Sequence, residues 1–173
     1  MYIPIYYSSI TGNTKKLAEY IKKELQADGH EPELFDSALP GEEPDREAEV
    51  ILVAFWCRRS GMDDFSLRTL SRLTGKKILA IGTIGGNVSG PYGDRVRKNV
   101  REVIEKENTC LGVCICQGAI NLKRVQGRRM LPKEDRHYLS DEKYARFLET
   151  QGHPDEADLR QAAECVRRYL PSH

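Results

Sequence analysis

The residues best suited to chemistry form one short run, Ser9-Ile10-Thr11-Gly12-Asn13-Thr14. An apolar stretch precedes it and a helical pattern follows, so the run opens onto the first turn of a helix, where backbone N–H groups lack intrahelical partners. A phosphate set there would meet those N–H groups, the hydroxyls of Ser9, Thr11 and Thr14, and the amide of Asn13. Gly12 lets the backbone come close. Lys15 and Lys16 add a diffuse positive field without having to coordinate the anion. The same residues also admit a plainer reading, a well-capped helix, because Ser, Thr and Asn are all cap formers. A cap needs one of them, whereas here four surround a glycine.

Two more loops have the composition of a binding site. One is Trp56-Cys57-Arg58-Arg59-Ser60-Gly61-Met62-Asp63, which holds the single tryptophan of the chain; the other is Gly82-Thr83-Ile84-Gly85-Gly86-Asn87, followed by Tyr92. Each follows an apolar run. A glycine-rich loop alone is a weak sign, and Trp56 alone reads equally as a core residue continuing Phe55. Their value lies in falling in register with the first run.

The elements that would hold these loops follow from periodicity. Apolar runs at Ile3 to Tyr7, Glu33 to Phe35, Val50 to Phe55, Lys77 to Gly82 and Leu111 to Gln117 alternate with helical patterns, as in a parallel sheet covered on both faces. Three of the runs are nearly continuous, as doubly buried strands are. Leu17, Ala18, Ile21 and Leu25 mark a first helix that Gly29 can end. A second starts at Asp63 or Asp64 and is expected to bury Phe65, Leu70 and Leu73 before Gly75; Val96, Val100, Val103 and Ile104 mark a third. Leu159, Ala162, Ala163, Val166 and Leu170 mark the last, which has acids Asp155, Glu156 and Asp158 at its start and Arg167 and Arg168 at its end, in keeping with the helix dipole.

The expected fold is therefore α/β: a three-layer, doubly wound, five-stranded parallel sheet of order 2-1-3-4-5, with ligands beyond the carboxyl ends of the strands. Pro4 objects, since it falls inside a strand that becomes central and lacks an N–H. The strand's initial pairing is expected to be incomplete there. Residues 1–173 read as one domain with an insertion at about 119–154. The insertion carries eight basic residues (Lys123, Arg124, Arg128, Arg129, Lys133, Arg136, Lys143, Arg146) against five acids (Glu134, Asp135, Asp141, Glu142, Glu149). Within it a helix from Asp141 is expected, capped by Ser140, with Tyr144, Phe147 and Leu148 on one face. A loop this long is either functional or a surface excursion.

Bulk properties set limits. The 173 residues carry 27 Lys and Arg against 26 Asp and Glu, a net charge of +1, so no global basic field attracts nucleic acid. No apolar run is long enough for a membrane span, and the start of the chain lacks a signal-peptide pattern, so a cytoplasmic location is expected. Five cysteines without a CxxC pair suggest neither a disulfide framework nor a zinc knuckle, and Cys114 and Cys116 read as packing residues. His30, His137, His153 and His173 are scattered, and each reads as a surface residue; no metal site and no catalytic residue are expected.

The first run resembles the phosphate loop of the flavodoxin family, T/S-x-T-G-x-T, at every position. The likeness spans residues 1 to 118 and the last helix and leaves the insertion uncovered. Phe55-Trp56, Cys116-Gln117-Gly118 and His153-Pro154-Asp155 look like a subgroup of such proteins common in anaerobic bacteria, some of which feed electrons to reductases. The resemblance implies bound FMN, with Ser9, Ile10, Thr11, Gly12, Asn13 and Thr14 at its phosphate. It implies Trp56, with Cys57 and Arg58, on one face of the isoalloxazine ring, Thr83, Ile84, Gly85 and Gly86 at the pyrimidine edge, and Tyr92 on the second face. It also implies that a peptide at Gly61 rotates on reduction, either Ser60–Gly61 or Gly61–Met62. Arg58 and Arg59 would then stabilise the negative charge of the fully reduced ring.

Other uses of this fold class fit less well. A receiver domain needs acids where Ser8-Ser9 and Phe55-Trp56 stand, and neither GxxxxGK[ST] nor a strand-following GxGxxG occurs. The expected function is an electron carrier between redox partner proteins, a reductase among them, acting as a monomer or weak dimer. The alternative is an FMN-dependent NAD(P)H or quinone oxidoreductase whose insertion helps bind substrate.

Overall fold

The computed structural model describes residues 1–41, 44–45 and 47–170; His173 lies outside the described residues. The strands are β1 (Tyr2–Tyr7), β2 (Glu31–Asp36), β3 (Val50–Arg58), β4 (Gly61–Met62), β5 (Lys77–Ile84) and β6 (Thr109–Gln117). The helices are α1 (Asn13–Ala27), α2 (Asp64–Leu70), α3 (Pro91–Ile104), α4 (Leu122–Val125), α5 (Asp141–Glu149) and α6 (Glu156–Arg167), with a 3₁₀ turn at Gln126–Met130. The long strands are parallel in the order β2-β1-β3-β5-β6. This is the expected doubly wound order, its numbering shifted by β4, a two-residue antiparallel return on β3.

Continuous apolar strands follow from burial on both faces. In β3, Val50, Leu52 and Ala54 join the core under α1 and α6, while Ile51, Val53 and Phe55 join the core under α2 and α3. The Phe55 ring lies on Gly82 of the neighbouring strand, where a Cβ would come within 2.4 Å of it. Gly82 thus serves packing.

Pro4 is accommodated as expected. Ser8 N donates to Ala54 O, so by the two-residue period the nitrogen of Pro4 also faces β3. The β1·β3 ladder begins only at Ile5–Leu52, one residue later. The ladder is short by the one bond that an N–H at this position would have made.

Several expectations need correction. Phe65 stays half-exposed beneath the Arg68 guanidinium, and Ser66, Thr69 and Leu70 are the buried residues of α2. Leu148 points outward, 47% exposed. His30 is buried. Cys114 is bonded to Cys165 in a disulfide between β6 and α6. Local spacing could not reveal a pair 51 residues apart that meets only once α6 packs on the sheet. No helix among the described residues is long and apolar enough to cross a membrane.

Candidate functional site

A cavity of roughly 500 Å³ opens beyond the carboxyl ends of β1, β3, β5 and β6. Four segments wall it: the loop into α1, the end of β3, the end of β5 with the following glycines, and the start of the insertion. The structure brings together Ser9, Ile10, Thr11, Asn13, Thr14, Trp56, Cys57, Thr83, Ile84, Gly85, Gly86 and Tyr92 at this cavity. Gly12, Arg58 and Gly61 do not line it.

At the first wall, α1 starts without a side-chain cap despite its cap-forming residues. Gly12 occupies the N-cap position with φ 90°, a left-handed conformation that glycine adopts without steric cost. Its N–H donates to Ser9 Oγ (3.1 Å), which folds the loop back on itself. Thr14 Oγ1 lies buried 2.9 Å from Thr83 Oγ1, tying the helix start to β5. If Thr83 donates in this pair, the Thr14 proton stays available to an anion. Asn13 Nδ2 donates to Ala119 O (3.0 Å), so one of its two amide protons holds the insertion. The capped-helix reading fails here.

The second wall is set by Asp63, which is completely buried. It accepts from Phe65 N and Ser66 N as the N-cap of α2, from Ser66 Oγ (2.8 Å), and from Trp56 N (3.3 Å). One carboxylate thereby starts α2 and fixes the backbone of Trp56. The indole Nε1 is buried and has no acceptor among the described residues, a donor that an apolar wall would not leave idle. Cys57 Sγ sits 3.4 Å from Tyr92 Oη. Burial raises the Cys57 thiol pKa; burial first, and the Cys57 contact second, push Tyr92 up to about 12. Both are uncharged at neutral pH.

The hairpin beyond Cys57 differs from expectation. Cys57 pairs with Met62 and Arg58 with Gly61, which leaves Arg59 and Ser60 as the two turn residues. Both have positive φ, 49° and 62°, in the manner of a type I′ turn, which ordinarily selects Asn and Gly. Gly61, expected to carry a peptide that rotates on reduction, is a paired strand residue, and the Ser60 carbonyl accepts from Asn99 Nδ2 (2.9 Å). The Ser60–Gly61 peptide is pinned from α3. Arg58 turns away from the cavity because its guanidinium is held by both oxygens of Asp64 (2.6 and 2.5 Å).

The glycines of the third wall admit protein. A Cβ on Gly85 would lie 2.6 Å from Ile120, and one on Gly86 would lie 2.5 Å from the Tyr92 ring. The Tyr92 ring therefore packs against Gly86.

Sequence reasoning missed the fourth wall: Gly118, Ala119, Ile120, Asn121, Arg124, Val125 and Phe147. These residues lie in the insertion or just before it, where no periodic pattern points at the cavity. A second groove of about 660 Å³ shares Gly85, Gly86 and Phe147 with the first and is further lined by Gln117, Arg146, His153 and Asp158. His153 Nδ1 meets Asp158 Oδ2 at 2.5 Å. The ligand atoms of His153, Asp155 and Asp158 all lie within 4.8 Å of one another, so this histidine has neighbours that the sequence reading denied it. The two carboxylates are occupied in a reciprocal capping box at the start of α6.

The family profile of the flavodoxin domain matches residues 4–167. The chain belongs to the flavodoxin-domain family. A flavodoxin-like domain-containing protein, BilS, of Clostridioides difficile is 32% identical over 96% of this chain and 94% of its own length. A protein of the same name from Clostridium symbiosum is 27% identical, over 90% and 88% respectively. Among solved structures, oxidised flavodoxin 1 of Bacillus cereus superposes with a TM-score of 0.55 at 18% identity, covering 99% of this chain and all of its own. The azoreductase AzrA does so with 0.57 at 12%, covering 98% and 100%. These likenesses establish the fold, and flavodoxin-domain proteins generally bind FMN.

Proposed function

We propose that this protein binds FMN non-covalently in the 500 Å³ cavity and passes electrons between redox partner proteins, a reductase among them. The observation that carries the reading is the uncapped start of α1 beside a cavity walled by Trp56 and Tyr92. The residues fit the cofactor. Backbone N–H groups at the start of α1, with Ser9, Thr11 and Thr14, suit a phosphate; Trp56 and Tyr92 suit a flat ring; the idle Trp56 Nε1 suits a polar atom. FMN would supply reversible one- and two-electron chemistry, and the chain's own part is to orient it and exclude water. Flavodoxin-like domains work with redox partners, in keeping with transfer between proteins.

A second reading, an FMN-dependent NAD(P)H or quinone oxidoreductase, draws on the groove beside the cavity, which offers room for a small substrate. Titration of the full-length apoprotein with FMN, followed by flavin fluorescence, tests the first reading. Saturable quenching is expected, and Trp56→Ala should brighten the bound flavin. A protein that takes up no FMN would end the proposal. Anaerobic addition of NADPH to the loaded protein separates the two readings: rapid direct bleaching marks the enzyme.

A further inference from the structure

The insertion closes on itself at its neck. Ala119 N donates to His153 O (3.0 Å), Ile120 N to Thr150 Oγ1 (2.9 Å), and Gln151 Nε2 to Ile120 O (3.0 Å). Both ends then fasten to the first turns of α1, through Asn13 Nδ2 to Ala119 O (3.0 Å) and Lys16 Nζ to Pro154 O (2.6 Å). Two side chains of the phosphate-loop helix thus hold the two ends of a segment that the doubly wound sheet does not require.

The inner side of that segment reaches the cavity through α4 and α5. Arg124 is the one charged residue among those lining the cavity, which has no acidic side chain to balance it. The insertion's other four arginines are engaged: Arg128 donates to His137 O, Arg129 pairs with Asp141 and lies over the Tyr144 ring, Arg136 donates to His137 Nε2, and Arg146 pairs with Glu142. Among the described residues the Arg124 side chain has no hydrogen-bond or ion-pair partner. A free guanidinium in a cavity without acids, five residues beyond the Ala119 that Asn13 holds, suits an anion at the start of α1.

We propose that Arg124 is the counter-charge for the phosphoryl group of the cavity's ligand, so that the insertion discriminates a phosphorylated flavin from its unphosphorylated form. The inference rests on the FMN reading. A guanidinium presents its donors in a planar fork that matches phosphate oxygens, and its bonds to them are charge-assisted. The neutral loop supplies directed N–H and O–H donors; Arg124 adds the charge they lack.

The test compares affinities of the full-length protein for FMN and for riboflavin by fluorescence titration, in the wild type, Arg124→Gln and Arg124→Lys, at low and high salt. Arg124 is exposed, so the variants should melt with the wild type. Arg124→Gln should weaken FMN about tenfold at low salt, as loss of a charge-assisted bond does, and leave riboflavin unchanged. Arg124→Lys should recover part of the loss, and salt should narrow the gap. Equal weakening of both flavins, or no weakening of FMN, overturns the proposal. So does a shifted midpoint potential with an unchanged FMN-to-riboflavin ratio, which would place the guanidinium at the ring. A wild type that binds riboflavin as tightly as FMN overturns the phosphate assignment while sparing the flavin reading; one that binds neither removes both.

Discussion

Of the helices that begin at the cavity end of the sheet, α1 and α2 begin in opposite ways. Asp63 starts α2 with a buried carboxylate that takes four donors, so that helix end is chemically closed by the chain itself. The start of α1 has Ser, Thr and Asn close by and is capped by none of them. Helix ends in folded proteins are normally satisfied by side chains, water or ligands. A closed end supports architecture, whereas an open end beside a cavity is available to a ligand. The same division runs through the charges near the cavity: Arg58 is neutralised by Asp64, and Arg124 is left alone.

The largest expected effect lies at the closed end. Asp63→Ala should cost about 3 kcal/mol or more of unfolding free energy, because hydrogen bonds to a charged group are worth about 1.5–3 kcal/mol and several buried donors would be stranded. Asp63→Asn, which keeps an N-cap acceptor, should cost clearly less. Urea unfolding of the two variants measures the difference, and equal losses would mean that the charge rather than the cap matters. Since Asp63 also holds Trp56 N, the alanine variant should loosen flavin binding as well.

At the open end the balance reverses. Thr11 is exposed and caps nothing, so Thr11→Ala should leave the ligand-free protein within about 0.5 kcal/mol of wild type. Its FMN affinity should nonetheless fall by about 1.5–3 kcal/mol, the worth of a hydrogen bond to a charged acceptor. Adding Thr14→Ala should deepen that loss and also cost stability, because Thr14 is buried against Thr83. Parallel melts and FMN titrations decide it; a Thr11 variant that loses stability but keeps FMN would make this end an ordinary helix start.

A smaller effect belongs to the hairpin between the two helices. Arg59 and Ser60 both hold left-handed backbone, a region costing non-glycine residues about 1 kcal/mol. Ser60→Gly should therefore stabilise the protein by roughly 0.5–1 kcal/mol, offset in part by added freedom in the unfolded chain. A thermal melt that moves downward would show that the Ser60 side chain makes a compensating contact.

The legible parts of this molecule were those written in local periodicity. The five long strands, the helix at each apolar stripe and the cap residues Asp63 and Ser140 follow from patterns within about a dozen residues. Even the Pro4 anomaly resolved locally. The illegible parts depend on what meets in space. Cys114 and Cys165 carry no mutual signal along the chain; Ile120 and Phe147 reach the cavity only because Asn13 and Lys16 fasten the insertion's ends. Gly85 and Gly86 line the cavity as expected of them, but their lack of a side chain also makes room for Ile120 and Tyr92, a contact that local spacing does not announce. The peptide at Gly61, expected to rotate, is paired in a hairpin whose turn falls on Arg59 and Ser60, residues that no local glycine signal marks.

The smallest net effect is expected from the Arg58–Asp64 pair, and it falls below what the resemblance implies for Arg58. A lone guanidinium about 8 Å from a reduced flavin, at an effective dielectric of about 40, would contribute about 1 kcal/mol, or about 45 mV for one electron. Arg58 is not alone. Its contact with Asp64 sets an opposite charge beside it, and the two fields subtract. For a carboxylate about 2 Å more distant than the guanidinium, the remainder is about 0.2 kcal/mol, or about 10 mV, before salt screening. Arg58→Gln alone frees Asp64 and should lower the second reduction potential by tens of millivolts; Arg58→Gln with Asp64→Asn should return it to within about 10 mV of wild type. Anaerobic potentiometry at low salt distinguishes the cases. If the double variant stays as low as the single one, Asp64 does not screen Arg58 as seen from the ring, and the pair belongs with the open groups of the cavity.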